Sequence, residues 1–186
     1  MGIGRITSFP SATRWFFPPA SSRWAVACIC AVLATVASRV AAETVWIDGL
    51  NLDQVIQEGG KATPRMALGG QPLKIAGQTF THGIATHAES WLGVRLDGKA
   101  QTFSAQVGVD DEIKGKPGGT VEFVVLGDGE KLWSSGLIRT GDAAKPCVVP
   151  LTGVKLLELV VTDGEDNNYY DHADWAEAKI ESDTPR

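Results

Sequence analysis

Cysteine is scarce in this chain: of three cysteines in 186 residues, only Cys147 lies beyond residue 42. A lone cysteine excludes an internal disulfide in that part of the chain. Because Cys147 begins the apolar run Cys147-Val148-Val149, we predict that it is a buried small hydrophobic residue. A domain of this size buries roughly 68–70% of the surface of its unfolded chain, so it can form a core without covalent cross-links.

Acidic residues are absent from the first 42 positions. Arg5, Arg14 and Arg23 precede an apolar run at 24–37, and the small residues of Val40-Ala41-Ala42 follow it. This order of basic, apolar and small residues is typical of a secretory signal peptide. The run of about 14 residues is short for a membrane span, so an uncleaved anchor is the less favoured alternative. We predict a signal peptide at 1–42 and an exported protein, secreted or in the periplasm or cell envelope, with no membrane attachment after cleavage.

Positive charge is also sparse after residue 42. Four of the 17 basic residues lie in the first 42 positions, so 13 remain against 22 acidic residues, a net charge of −9. Such a surface repels the phosphate backbone, which argues against a nucleic-acid partner.

Sustained helical periodicity is missing from the same part of the chain. Short apolar or alternating runs recur instead, separated by glycine, proline and aspartate, as in strands joined by turns. The predicted strands are 45–47, 73–75, 91–96, 101–109, 120–126, 131–133, 147–151, 156–162 and 175–181. Asp97-Gly98 and Asp128-Gly129 are typical of tight hairpins, whose central residues need positive φ. We predict an all-β, antiparallel β-sandwich or jelly roll at 43–181 and a flexible tail at 182–186.

Four segments of the chain together resemble one family. They are HGIATHAES at 82–90, VGVDDE at 107–112, VEFVVLGDGEKLWSSG at 121–136 and DHADWAEAKI at 171–180. Their order and spacing are similar to those of the NPCBM family, carbohydrate-binding modules associated with glycoside hydrolase family 98. The resemblance implies a galactose-binding-like jelly roll, sugar binding without catalysis and, in many members, a bound calcium ion. Since no catalytic domain follows the four segments, we expect a role other than targeting an attached enzyme.

A sugar site needs an apolar face for the C–H side of the ring and planar polar groups for the hydroxyls. Tyr169 and Tyr170 lie in a polar loop beside two asparagines, which makes this loop the preferred platform. The alternative is that one tyrosine folds back onto the sandwich. Trp133 stands where a predicted strand meets a turn. The predicted carbohydrate-binding residues are Tyr169, Tyr170, Asn167, Asn168, His87 and Trp133.

The chain has three histidines, His82, His87 and His172. Three histidines can form a zinc site, but a spacing of five in a β-like segment places His82 and His87 on opposite faces. We expect His87 and His172 to hydrogen-bond a carboxylate or a backbone group, with a sugar hydroxyl as the functional alternative.

Carboxylates are concentrated at 163–177, where no lysine or arginine accompanies them. Calcium prefers oxygen ligands of this kind, and in galactose-binding-like folds an ion often ties the N-terminal loop to the last strand. We predict a structural calcium ion with Asp48, Asp171 and Glu177 as candidate ligands. The alternative is a solvated acidic loop.

A further acidic run, Asp110-Asp111-Glu112, follows an alternating strand. We predict that one of these acids caps a turn and that the others face water. Asp110 is the candidate for orienting a histidine or arginine.

Three functions remain open at this point. The preferred function is non-catalytic binding of glycans, with terminal galactose-type sugars as candidates. Many members of the NPCBM family have an aromatic residue near the positions that correspond to 57–60, where this chain has none, and this departure favours the alternative of a structural or adhesive cell-surface protein. The third is a small glycoside hydrolase, which needs two carboxylates at a fixed separation across a cleft, such as Asp110 and Asp171.

Overall fold

The structure of the chain is a computed structural model that describes residues 43–164 and 167–182. The predicted signal peptide and residues 183–186 of the predicted tail lie outside the described residues. Ser182, which was predicted to begin the tail, is instead the last residue of the last strand, where it pairs with Glu43 and Ala100.

The described part of the chain forms strands joined by short connections, and every strand pairing is antiparallel. The strands are β1 (Glu43–Trp46), β2 (Ile56–Gln57), β3 (Thr63–Pro64), β4 (Lys74–Ile75), β5 (Gln78–Thr79), β6 (Gly83–His87), β7 (Ser90–Arg95), β8 (Ala100–Val109), β9 (Thr120–Gly127), β10 (Glu130–Arg139), β11 (Lys145–Pro150), β12 (Leu156–Thr162) and β13 (His172–Ser182). Single 3-10 turns occur at Ile47–Gly49, Leu52–Gln54 and Asp111–Ile113. Within these residues, no helix has the length and hydropathy to cross a bilayer.

Two sheets form the sandwich. The first has the order β11-β8-β13-β6-β3, and the second has the order β10-β9-β12-β7-β2. The long strand β13 pairs with β8 along one side; along the other it pairs first with β6 and then with β1. The predicted all-β antiparallel sandwich is confirmed.

Trp175 lies at the centre of the core between the sheets. Its ring meets Phe123 of β9 edge-on at a centroid distance of 4.9 Å and Phe103 of β8 at 6.0 Å. Since β8 and β9 belong to different sheets, this one indole joins both layers. Aromatic pairs of this geometry stabilise a fold beyond the area that they bury.

A smaller apolar cluster covers the outer face of the first sheet. The hairpin β4–β5 places Leu73, Ile75 and Phe80 over Ala85 and Ala176. The hairpin approaches closely because β8 carries a glycine beneath it: a Cβ at position 108 would lie 2.4 Å from a methyl carbon of Ile75. Two buried carboxyl groups described below, Asp110 and Asp174, lie next to this covering hairpin.

The two Asp-Gly turns have different roles. Asp128 and Gly129 have φ values of 51° and 84° and join β9 to its partner β10, as predicted. Asp97 and Gly98 also have positive φ, but they carry the chain from β7 in the second sheet to β8 in the first. The prediction of a paired hairpin at 97–98 is therefore wrong. Asp-Gly specifies the turn conformation but not whether the flanking strands pair.

Cys147 is fully buried on β11, in agreement with its predicted role. Burial raises the pKa of the Cys147 thiol to about 12, so the reactive thiolate is not formed at neutral pH.

Candidate functional site

The pairing of β6 with β13 places two distant histidines side by side. His172 is the register partner of His87, and the two rings meet edge to face at a centroid distance of 5.6 Å. Both residues lie at the ends of their strands, where the chain enters loops. His82 lies elsewhere and stacks on Trp46 at 3.9 Å. The described residues therefore contain no three-histidine cluster.

The loop before β13 supplies the aromatic side chains. Tyr169 is 72% exposed and Tyr170 is 39% exposed, so neither folds back into the sandwich. Asn167 braces the loop, since its Oδ1 accepts the backbone N–H of Tyr169 at 3.0 Å. Asn168 turns the other way and donates from Nδ2 to Glu58 Oε2 at 2.6 Å.

Asp171 anchors this loop at its C-terminal end, just before β13. Its side chain is fully buried, and Oδ1 accepts the backbone N–H of Thr120 at 3.0 Å. Gly118 and Gly119 allow the neighbouring segment to approach: a Cβ at Gly118 would lie 2.6 Å from the Tyr169 carbonyl oxygen. Asp171 is thus a loop anchor in this arrangement.

Together these elements form an open cavity of about 450 Å³. It is lined by His87, Asn168, Tyr169, Tyr170 and His172. Four of the six predicted carbohydrate-binding residues thus line one cavity, and Asn167 supports its loop.

Trp133 does not join this cavity. It lies on β10, the edge strand of the second sheet, where it pairs with Val125 and packs partly buried against the main core. Trp133 thus lies outside this cavity, and its predicted contact with a sugar stays a prediction. β10 continues to Arg139, so no turn follows position 133 directly.

The hydrogen bonds of the two cavity histidines determine which ring nitrogen carries hydrogen. His87 Nδ1 lies 2.6 Å from the Ala88 carbonyl oxygen, and His172 Nδ1 lies 2.5 Å from Glu112 Oε1. A carbonyl or carboxylate oxygen can only accept, so Nδ1 is the protonated nitrogen in both rings. In the neutral state each ring then offers Nε2 as an acceptor, and this suits a hydroxyl-rich ligand.

Sequence reasoning missed two supporting carboxylates, Glu58 and Glu112. They lie 110 and 60 positions from their partners Asn168 and His172. Neither spacing gives a local signal, because both contacts depend on how the sheets pair.

The acidic run at 110–112 accepts hydrogen bonds from backbone N–H groups of the covering hairpin and of the loop that precedes it. Asp110 Oδ2 accepts from Lys74 N at 3.0 Å, Asp111 Oδ2 from Gly77 N at 2.8 Å and Glu112 Oε2 from Gly69 N at 2.7 Å. Asp110 also caps the 3-10 turn that follows, as predicted for one of the acids, by accepting from Glu112 N at 2.7 Å. The expectation that Asp111 and Glu112 merely face water is wrong, and Glu112 rather than Asp110 contacts a histidine.

A buried carboxyl pair lies behind this run. Asp174 is fully buried on the outer face of β13, next to Asp110, which is 1% exposed. Burial, followed by the hydrogen bond with Asp110 and the charges of Asp110 and Glu112, raises the pKa of Asp174 well above its usual range. Within 43–164 and 167–182, neither Asp174 oxygen accepts a hydrogen bond. A protonated Asp174 that donates to Asp110 satisfies both observations.

The three predicted calcium ligands are not brought together. Asp48 and Glu177 both contact the segment at 81–83, whereas Asp171 lies at the opposite end of the pairing between β6 and β13. Asp48 already accepts from Arg65 at 3.1 Å, and its other oxygen lies 2.9 Å from both His82 Nδ1 and Gly83 N. Among the residues described, no cluster of three or more potential metal ligands occurs. This arrangement does not fit a calcium cage, and calcium binding stays a prediction.

Glu177 is a bulge residue in β13. Its φ is +48°, and the register with β8 shifts between Ala176 and Lys179. Because the bulge adds one residue, Trp175 and Ala178 both face the core between the sheets, although they are three positions apart. Ala176 lies on the outer face of the first sheet. The Glu177 carboxylate accepts from the backbone N–H groups of Thr81 and His82, both at 3.3 Å.

Comparison with solved structures supports the assignment of this fold. The CBM51 module of a Clostridium perfringens GH95 protein, solved in complex with methyl-galactose, is 31% identical. It has a TM-score of 0.68, and the match covers 74% of this chain and 99% of that one. A CBM51-2 module in a C. perfringens ZmpB structure, in complex with GlcNAc, is 28% identical with a TM-score of 0.71, covering 75% of this chain and 32% of that one.

Two longer proteins match in sequence. Alpha-1,3-galactosidase B of Akkermansia muciniphila is 39% identical over 125 residues, and a Renibacterium salmoninarum protein is 39% identical over 111 residues. The matches cover 65% and 60% of this chain but only 15% and 7% of those proteins. The chain therefore corresponds to a small part of each of them.

The match to a CBM51 module over 99% of that module, on the same antiparallel sandwich, places this chain in the class of carbohydrate-binding modules. The model of the NPCBM/NEW2 domain matches residues 43–181. The chain belongs to the NPCBM/NEW2 domain family.

Proposed function

We propose that this module binds a terminal galactose-type sugar in the cavity formed by His87, Asn168, Tyr169, Tyr170 and His172. The carrying observation is the convergence of two exposed tyrosines with two histidines whose Nδ1 hydrogens are already engaged. The tyrosine rings offer apolar faces, and the histidine Nε2 atoms accept hydroxyl hydrogens. The complex of the similar GH95 module with methyl-galactose supports the choice of sugar.

We also propose that binding is not followed by catalysis. Glycoside hydrolysis needs a pair of carboxyl groups across the bound sugar. Among the described residues that line the cavity, none is an aspartate or glutamate. Asp110 and Asp171, the candidate catalytic pair, are buried and bonded to backbone N–H groups. Absence of turnover on a panel of aryl glycosides supports this proposal, and turnover that is lost in Asp171→Asn contradicts it.

The sequence at 1–42 supports a third element of the proposal, action outside the cytoplasm. N-terminal sequencing of the protein from its native host tests it. A mature N-terminus near Glu43 in the extracytoplasmic fraction is the expected result.

Replacement of Tyr169 by alanine tests the sugar site. We expect Tyr169→Ala to weaken binding of methyl-galactoside about tenfold, because a stacked aromatic ring contributes on the order of 1.4 kcal/mol. Isothermal titration of the purified module measures the change. Val148→Ala, at a 65% exposed position on β11 away from the cavity, is the control and should bind like the wild type. Equal affinity for Tyr169→Ala and wild type would remove this loop from the site.

Melting in the presence of calcium or a chelator tests the metal prediction. Because Arg65 and His82 already occupy the Asp48 carboxylate, we expect equal melting midpoints in the two conditions. An ion that binds only the folded state raises the midpoint by mass action. A higher midpoint in calcium would therefore show that an ion displaces these partners, and it would restore Asp48 and Glu177 as ligands.

A further inference from the structure

Glu112 is held rigidly although it lies near the surface. Its backbone N–H is bonded to Asp110 Oδ1 at 2.7 Å, within the 3-10 turn Asp111–Ile113. Its two carboxylate oxygens have different partners: Oε2 accepts from Gly69 N at 2.7 Å, and Oε1 contacts His172 Nδ1 at 2.5 Å. The Glu112 side chain is only 11% exposed. The carboxylate is therefore fixed before any ligand arrives.

This carboxylate determines the hydrogen-bonding character of His172. An ionised carboxylate accepts hydrogen bonds and cannot donate them, so the His172 hydrogen lies on Nδ1. The neutral ring then has its lone pair on Nε2. Across 43–164 and 167–182, the contact with Glu112 is the one hydrogen bond that His172 makes through its ring. Nε2 is thus left for a ligand in the cavity that this ring lines.

His87 presents the same arrangement beside it. Its Nδ1 hydrogen is directed to the Ala88 carbonyl oxygen, and its ring lies edge-on to that of His172. Because both rings line one cavity, their Nε2 acceptors can serve a ligand with more than one hydroxyl donor. A sugar ring with adjacent hydroxyls has this chemistry, whereas a ligand with a single hydroxyl can satisfy only one of the two nitrogens.

We propose that Glu112 is a positioning residue of the sugar site, which fixes the Nδ1–H tautomer of His172 so that Nε2 accepts a hydroxyl of a sugar carrying adjacent hydroxyls. The role of the sugar in this statement rests on the proposed function. The effect of Glu112 on the tautomer does not, because it is present in the sugar-free protein.

The matched control is a neighbouring acid. Asp111 holds the same covering hairpin through Gly77 N at 2.8 Å, and the structure gives it no bond to His172. Asp111→Ala and Glu112→Ala therefore each remove one carboxylate bond to a backbone N–H, of Gly77 and Gly69 respectively, and only Glu112→Ala changes the surroundings of the histidine. Glu112→Gln keeps one acceptor, the amide oxygen, which can accept from His172 Nδ1 only if the bond from Gly69 N is given up.

The first measurement is ¹⁵N NMR of the histidine rings in the sugar-free module, at alkaline pH where imidazole is neutral. We expect the Nδ1–H form of His172 in the wild type, in Asp111→Ala and in Glu112→Gln, and a shift toward Nε2–H in Glu112→Ala. An unchanged His172 tautomer in folded Glu112→Ala overturns the proposal. If Glu112→Ala does not fold, absence of the Nδ1–H form of His172 in the wild type overturns the proposal equally.

The second measurement is titration with methyl-galactoside and with its deoxy analogues that lack one hydroxyl. We expect Glu112→Ala to bind about tenfold more weakly than Asp111→Ala, and Glu112→Gln to stay within about threefold of the wild type. Equal affinities of Glu112→Ala and Asp111→Ala would overturn the positioning role. Failure of the wild type to bind any sugar would instead contradict the proposed function and leave the NMR result to decide the effect on the tautomer.

Discussion

Truncation of Trp175 to alanine is expected to lower the free energy of unfolding by about 3–5 kcal/mol, the range for large aromatic side chains in a core. Trp175 is 1% exposed and contacts Phe103 and Phe123, so its removal leaves a cavity that neither sheet can close alone. Since domains of this size are stable by about 5–15 kcal/mol, Trp175→Ala removes a large fraction of the free energy of unfolding.

Chemical denaturation followed by tryptophan fluorescence and circular dichroism measures the loss. Trp133→Ala is the matched control, because Trp133 packs against the same core from an edge strand and is only partly buried. It should cost less than half as much. Similar losses for the two variants would contradict a core centred on Trp175.

Replacement of Asp174 by asparagine is expected to abolish part of the pH dependence of stability. Burial and Asp110 raise the pKa of Asp174, so the folded state holds a proton that the unfolded chain releases above about pH 4. The unfolding free energy should therefore fall as pH rises, by up to about 1.4 kcal/mol per pH unit, until the folded-state pKa is reached. In Asp174→Asn the amide donates to Asp110 at every pH, and this slope should vanish.

Other titrating groups act on the same measurement, so the comparison is between variants over one pH range. Asp110 and Glu112, which act on Asp174, and His172, which contacts Glu112, are all retained in Asp174→Asn. For Asp48, burial is outweighed by Arg65, Gly83 and His82, and its pKa is lowered. The stability that Asp48 contributes is lost only as pH falls through that lowered pKa, so it is constant above about pH 5. Parallel pH profiles for wild type and Asp174→Asn would show that Asp174 is not protonated in the folded state.

The all-β fold could be predicted from the sequence because local residue patterns indicate most of its longer strands. Alternation in β8, the Asp128-Gly129 turn and the apolar run of β12 each predict a strand or a hairpin from neighbouring residues alone. The short strand β6 was missed as a strand, since Gly83–His87 is buried at most positions and lacks a period of two. The bulge at Glu177 could not be predicted either, because an extra residue in one strand leaves no recognisable local sequence pattern.

The site could be predicted in part. The loop with Tyr169 and Tyr170 is identifiable from its own composition, and His87 was also predicted, although only the pairing of β6 with β13 brings it beside this loop. Glu112 could not be predicted as a support of His172, because the contact spans 60 positions. Carboxylates raise the same difficulty, because Asp171, Asp174 and Glu177 look alike in sequence. In the structure Asp171 anchors a loop, Asp174 is buried with a raised pKa, and Glu177 occupies a bulge.

The anchoring of the tyrosine loop by Asp171 has a consequence for how such modules diverge. The loop is fixed at its base by a buried carboxylate and by close approach to Gly118, while the side chains of Tyr169 and Tyr170 are exposed. Changes at these two positions alter the ligand face without changing a core contact, so the loss of stability and the change in binding specificity are largely uncoupled there. Tyr170 has a φ of 64°, so only residues that tolerate the left-handed region are suitable at that position. A library randomised at 169 and restricted in this way at 170, with Asp171 and Gly118 kept, should yield many folded members, and it makes this loop a practical starting point for evolving lectins of new specificity.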